Sequence, residues 1–210
     1  FGASDSTALR AIRRCLPPLE RSGRDTVRLP DPGKGHRRDL PALLRDTPAL
    51  AVIVDTFEQR TQRPQRRQRA YYSGKKKAHT LKSQVAVDED GRVVDVGESR
   101  PGRWADLKVL RRSGLVGQLI RAQVGALGDL GYLGLGDVSP RLRGATPRRK
   151  PRGRERSAED RRHNRAFARR RIRVEHAIGR LRRYQALTAV NRHGRKGHAA
   201  RVRAVARLVN

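Results

Sequence analysis

The chain has 210 residues, 36% hydrophobic and 33% charged, which is enough for one domain core with elaboration at its ends. Lysine and arginine number 50 against 20 acids, a formal charge of +30, of the sign that a polyphosphate partner attracts. A single cysteine, Cys15, excludes a disulfide framework and a thiolate zinc site, and it suits a reducing, cytoplasmic setting.

No apolar run approaches the ~20 residues that cross a bilayer, and no charged-then-apolar leader opens the chain, so a soluble protein with no membrane partner is expected. The chain opens at Phe1 and contains no Met, so its start is expected elsewhere. Residues 1–20, FGASDSTALRAIRRCLPPLE, read as an N-cap at Ser4 and a helix with Leu9, Ile12 and Leu16 inward, stopped by Pro17 and Pro18. This has the form of the second half of a helix-turn-helix, with Ser6, Thr7 and Arg10 outward. A plain amphipathic helix fits it equally.

Residues 21–49 read as a linker rich in Gly, Pro and charge, with a short helical stretch at Leu40 to Arg45. The strand LAVIV, Leu50 to Val54, delivers Asp55 at its end, and a basic loop follows. SQVAVD and RVVDVG alternate and are joined through DEDG, a hairpin. Ala105 to Arg112 is helical, Val124 to Leu127 is a short strand, and Asp129 follows it. A basic Pro/Gly segment, Arg141 to Arg154, leads to Ser157, which can cap a long helix from Ala158 through Tyr184. The fold expected from this order is α/β, with the main domain over residues 50–190 and a basic C-terminal helix or tail over 191–210.

Within the long helix, RRRIRVEHAIGRLRRY holds one acid, Glu175, among seven arginines. An Arg four residues before a Glu is an ordinary helix pair. Yet Arg171, Glu175 and Arg182 share a face, beside an apolar stripe of Phe167, Val174, Ile178 and Leu181. SGKKKAHT fails as a phosphate-binding P-loop, and the glycines from Gly125 to Gly136 never form a dinucleotide fingerprint. There is no H-E-x-x-H pair, and Ser73 has no triad around it.

What remains is three acids at structural edges: Asp55, Asp129 and Glu175. Convergent carboxylates suit Mg²⁺, and two such ions would serve in-line displacement at phosphorus. Isolated acids at strand ends also occur without function. Basic segments containing Lys75, Lys76, Lys77, Arg148, Arg149 and Arg169 suit phosphate contact.

Five stretches then carry a resemblance: VIVDTFE around Asp55, YYSGKKKAHTLKSQVAVDEDGRVVDV, PGRWADLKVL around Asp106, LGDLGYLG around Asp129, and RIRVEHAIGRLRRY around Glu175. In that order, over most of the chain from about Ala51 to Tyr184, they resemble the DDE transposases of bacterial insertion sequences, in the branch similar to Harbinger-type nucleases. The resemblance implies a ribonuclease H-like mixed sheet flanked by helices, preceded here by a partial helix-turn-helix. It implies Asp55, Asp129 and Glu175 as catalytic residues and ligands of Mg²⁺ or Mn²⁺, two ions in all. Asp106 is a secondary candidate for the second ligand. DNA contacts are expected at the basic residues above together with Lys82, Arg171 and Arg182. The activity implied is metal-dependent cleavage and strand transfer on double-stranded DNA, at transposon ends and target, by a nucleoid-associated protein that pairs ends as a homodimer. Arg182 stands where the family often has Lys, and Thr56 and Phe57 replace a commoner Gly-Thr. The rival readings are a DNA-binding remnant without catalysis and a basic RNA-binding protein.

Overall fold

A computed structural model describes residues 4–22 and 51–210. The expected linker and its short helix lie outside the described residues.

The first helix, α1 (Asp5–Ser22), begins where the sequence indicates, because the Ser4 hydroxyl accepts the Thr7 N–H at 3.3 Å. It does not stop at the prolines. Pro17 and Pro18 lie inside the helix, which runs on to Ser22. Leu9 and Leu16 are half-buried where α1 meets the C-terminal helix, whereas Ile12, expected inward, is 48% exposed.

The sheet is built on β1 (Ala51–Arg60), twice as long as the expected strand. The polar residues after Asp55 stay extended because β1 pairs antiparallel with β3 (Ala78–Val87) over a continuous register from Ile53↔Val87 to Arg60↔Thr80. Between them lie α2 (Gln68–Tyr71) and the two-residue β2 (Tyr72–Ser73), which pairs with the start of β3. The expected hairpin forms: β4 (Val93–Val96) returns against β3, and the DEDG turn closes with Gly91 at φ 81°. After it, β5 (Arg100–Pro101) also pairs with β3. The outer edge of β3 is thus shared by β2, β5 and β4 in succession.

Two short helices, α3 (Asp106–Arg111) and α4 (Leu115–Arg121), lead into β6 (Gly125–Leu127). β6 lies parallel to the other edge of β1, and β7 (Gly144–Ala145) lies parallel to β6. Ser157 caps α5 (Ala158–Leu181) as expected, its hydroxyl accepting the Asp160 N–H. α6 (Gln185–Thr188) and α7 (Arg195–Val209) finish the chain.

Strand alternation divides the core. Ile53, Phe57, Val85 and Val87 meet Phe167, Val174, Ala177 and Leu181 of α5 and Val202, Val205 and Ala206 of α7. Val52, Val54 and Ala86 meet Leu110, Leu115, Leu119, Tyr132 and Leu135 on the opposite face. The result is a mixed sheet with helices on both faces. Residues 191–210, expected as a separate basic segment, enter the first of these cores through α7.

Candidate nuclease site

The parallel register sets the site. β1 and β6 pair Ala51↔Gly125, Val52↔Ala126 and Ile53↔Leu127, so two residues further along the two chains reach Asp55 and Asp129 side by side. Both sit at the carboxyl end of β6, where the chain turns away. Asp129 caps the short turn Leu130–Tyr132, its Oδ1 accepting the Gly131 N–H at 2.8 Å. Asp55 Oδ1 takes only its neighbour's N–H, that of Thr56 at 2.7 Å.

The electrostatics register the crowding. Burial pushes the Asp55 carboxyl up to about 6, the negative charges of Asp129 and Asp106 push the same way, and the Thr56 N–H and Arg171 oppose them. Beneath the acids the Tyr132 ring is fully buried. Burial and then the charges of Asp106, Asp55 and Asp129 raise its phenol well above the ordinary range. Its hydroxyl is buried with no hydrogen-bond partner among the described residues.

Glycine is required at two positions here. A Cβ on Gly128 would lie 2.6 Å from the Tyr132 side chain. One on Gly131 would lie 2.5 Å from Asp106 Oδ2 and 2.9 Å from Asp129 Oδ1. The glycines therefore make room for the tyrosine and for two approaching carboxylates.

Glu175 arrives from α5. The buried stripe Phe167, Val174 and Leu181 seats that helix on the sheet. Arg171, one turn before Glu175, donates to Glu175 Oε1 at 2.7 Å and stands 3.9 Å from Asp55 Oδ2. Arg171 is thus a cationic bridge between the first and third acids of the expected set. Among the described residues, no three His, Cys, Asp or Glu side chains are grouped closely enough to hold a metal ion in this arrangement. The Arg171 guanidinium lies between Asp55 and Glu175.

Asp106 has different company. Its Oδ1 accepts from Thr56 Oγ1 at 2.7 Å and from Lys82 Nζ at 2.8 Å, at the first turn of α3. Lys82, expected among the DNA contacts, is 8% exposed, with its ammonium also donating to the Trp104 carbonyl and lying 3.6 Å from Glu58. It is a buried counter-ion, and it does not face solvent with the others. Thr56, Glu58 and Lys82 were missed as members of this region. The signal for them was the alternation of β1 continued past Asp55, which puts Thr56 and Glu58 on the α3 face.

The remaining basic residues divide. Lys75, Lys76 and Lys77 are exposed on the turn between β2 and β3, and Arg149, Arg169 and Arg182 are exposed on the surface. Arg148 is engaged, bonding Glu159 and Asp160 at 2.9 Å each.

The mixed sheet thus brings Asp55, midway along β1, beside Asp129, just beyond the end of β6. The profile described as "DDE superfamily endonuclease" matches residues 54–210, and the chain belongs to that family. It is 28% identical over 201 residues, 94% of this chain and 67% of the other, to a protein of Microchaete diplosiphon named "Probable transposase for insertion sequence element IS702". No solved structure matches. No helix among the described residues is long and apolar enough to cross a membrane.

Proposed function

We propose that this protein is the transposase of an insertion sequence, cutting and rejoining DNA strands with Asp55, Asp129 and Glu175 as its catalytic acids. The observation that carries this reading is the juxtaposition of Asp55 and Asp129 on adjacent parallel chains, where burial and then the charge of Asp129 raise the Asp55 carboxyl to about 6.

The residues suit Mg²⁺ or Mn²⁺. The site offers hard carboxylate oxygens, and a raised carboxyl beside a second acid gains from a nearby cation. Asp55 and Asp129 would hold it, with Glu175 joining once released from Arg171. Bound divalent metal would supply Lewis-acid polarisation of the scissile phosphate. The chain's own residues do the positioning. Arg171, freed from Glu175, would take a phosphate oxygen of the strand being cut, and Arg182 caps the same helix seven residues beyond Glu175. The lysines of the β2–β3 turn hold duplex backbone at a distance, contributing affinity without sequence choice.

The test is a terminal-repeat duplex incubated with the protein and Mg²⁺ or Mn²⁺. Wild type should nick it, while Asp55→Asn and Asp129→Asn should lose at least ~10³-fold in rate with unchanged circular dichroism. Full cleavage by either variant would sink the assignment.

A further inference from the structure

A second feature lies at the far end of the same strands. The stretch YYSGKKKAHT, which fails as a P-loop, folds into a short hairpin. Tyr72 pairs with His79 and Ser73 with Ala78, the Ser73 hydroxyl accepts the Lys76 N–H at 3.3 Å, and Lys77 turns the chain at φ 49°. The Tyr72 and His79 rings meet edge to face, with centroids 5.6 Å apart at 76°. Beside them opens a cleft of about 510 Å³, also lined by Gly74, Arg63, Arg69 and Arg103. The volume is that of a small-ligand pocket, within the usual range of roughly 300 to 1,000 Å³.

Its walls define the ligand chemistry. Among the described residues, no carboxylate forms an ion pair with these three arginines. Arg63 is held in place by a neutral partner, its Nε donating to Gln68 Oε1 at 2.8 Å. Arg103 is fixed through its backbone, which donates to the Ala70 carbonyl. Tyr72 remains 43% exposed although it is braced by His79. A braced, exposed aromatic ring beside guanidiniums that pair with no acid among the described residues suits an unstacked base with its phosphate. Gly74 leaves the approach open, since a Cβ there would meet nothing within 4 Å.

We propose that this cleft binds an unpaired nucleotide of a DNA strand, stacking the base on Tyr72 and taking flanking phosphates on Arg63, Arg69 and Arg103. The inference rests on the nuclease reading for the identity of the strand as DNA. A base within a duplex has both faces covered by its neighbours, so this site selects a frayed or displaced strand. Its place relative to the acids fits such a segment. Thr61, just beyond β1 and six residues along the chain from Asp55, donates its N–H to the His79 carbonyl at the cleft. That is roughly 20 Å of extended chain, or about six base-pair steps of duplex.

The experiment measures anisotropy of labelled single strands on the full chain without divalent metal, comparing a dodecamer of thymidine with an abasic dodecamer of the same backbone. Tyr72→Ala should weaken the thymidine strand about 5- to 150-fold and leave the abasic strand unchanged. Tyr72→Phe should restore wild-type affinity. Arg69→Gln should weaken both strands alike and reduce the log-log salt slope by ~0.7. Equal loss on both strands with Tyr72→Ala, or no loss, would overturn the stacking site. Tighter binding of oligouridine than of oligothymidine would overturn DNA as the strand. Failure of the nuclease reading is seen separately, as absence of metal-dependent nicking in wild type, and it leaves the Tyr72 readout intact.

Discussion

Asp55 and Gln59 lie four residues apart on one face of β1, and the chain treats them in opposite ways. Gln59 is 3% exposed and fully employed. Its amide donates to the carbonyls of Ala186 at 3.1 Å and Ala189 at 2.6 Å, and its oxygen accepts from His198 Nε2 at 2.8 Å. Burial holds the His198 ring neutral, so Nδ1 accepts in turn from Ser99 Oγ at 2.6 Å and α7 is fastened to the sheet. Asp55 has its own neighbour's N–H, a guanidinium at 3.9 Å and two acids that repel it. Where every polar group is satisfied, the residue contributes to stability. Where charges are crowded and shared, the residue costs stability, as a site for the proposed chemistry would.

The sharpest break of this comparison is His198→Ala. It leaves Gln59 Oε1 buried without its partner and the Ser99 hydroxyl with Ser83 alone, and it opens space in a core position that is fully buried. We expect a loss of about 3 to 4 kcal/mol in urea unfolding, with nicking per folded molecule unchanged. A well-folded variant that no longer cuts would show that the junction serves the site.

Acidity separates the two regions next. Burial lowers the His198 imidazole to about 4, with Arg201 on the next turn of α7 adding to the shift. The unfolded value is 6.5, so the folded form is neutral while the unfolded form takes up a proton between these limits. Its contribution is therefore complete above 6.5 and lost as pH falls through about 4. Relative to His198→Gln, this is worth on the order of 3 kcal/mol. Asp95, raised by burial to about 6, slopes the other way: its contribution is present below 3.8 and lost as pH rises through about 6. Only the difference between wild type and His198→Gln isolates the histidine. A difference that stays constant from pH 4 to 7 would mean the ring is not held neutral.

Asp106 lies between the two cases, close enough to the acids to raise Asp55 and yet paired with Lys82 at 2.8 Å. Asp106→Asn should cost about 2 kcal/mol, because Lys82 keeps only the Trp104 carbonyl and a more distant Glu58. Activity should remain measurable. A stable but inactive variant would move Asp106 into the catalytic set, in exchange for Asp129.

These contrasts also mark what the sequence made legible. Local signals sufficed for the Ser157 cap, the hairpin through DEDG and the stripe of α5. Each depends on spacing within one or two elements. Other features depend on partners far along the chain. β1 continues through Glu58, Gln59 and Arg60 only because β3 matches it residue for residue. Lys82 is buried only because Asp106, Glu58 and the Trp104 carbonyl surround it. The polar junction joins Gln59 to His198, 139 positions later, with no local pattern to announce it. Two-residue strands such as β2, β5 and β7 are too short to alternate. The prolines of α1 misled because a stop was inferred at each of them, whereas the helix passes through both.

The smallest expected effect on stability is at Glu175, and it is the most discriminating. The carboxylate is 54% exposed, and its bond to Arg171 is an i,i+4 pair. Such a pair contributes only ~0.2 to 0.5 kcal/mol, so Glu175→Gln should leave the urea midpoint almost unmoved. If the residue were only a helix-surface acid, nicking would be unmoved as well. The proposed role demands the opposite, because Arg171 reaches both Glu175 and Asp55 and so occupies the space between the two carboxylates that the metal would share. Loss of cleavage in Glu175→Gln, with the folded fraction unchanged, is therefore the expected result. Arg171→Ala adds a second reading, since it frees the two acids from their shared cation while removing a phosphate contact. It should tighten Mn²⁺ binding, measured calorimetrically without DNA, and weaken the DNA complex. If Mn²⁺ affinity is unchanged in Arg171→Ala, the guanidinium is not standing in for the metal, and Glu175 returns to being half of an ordinary helix pair.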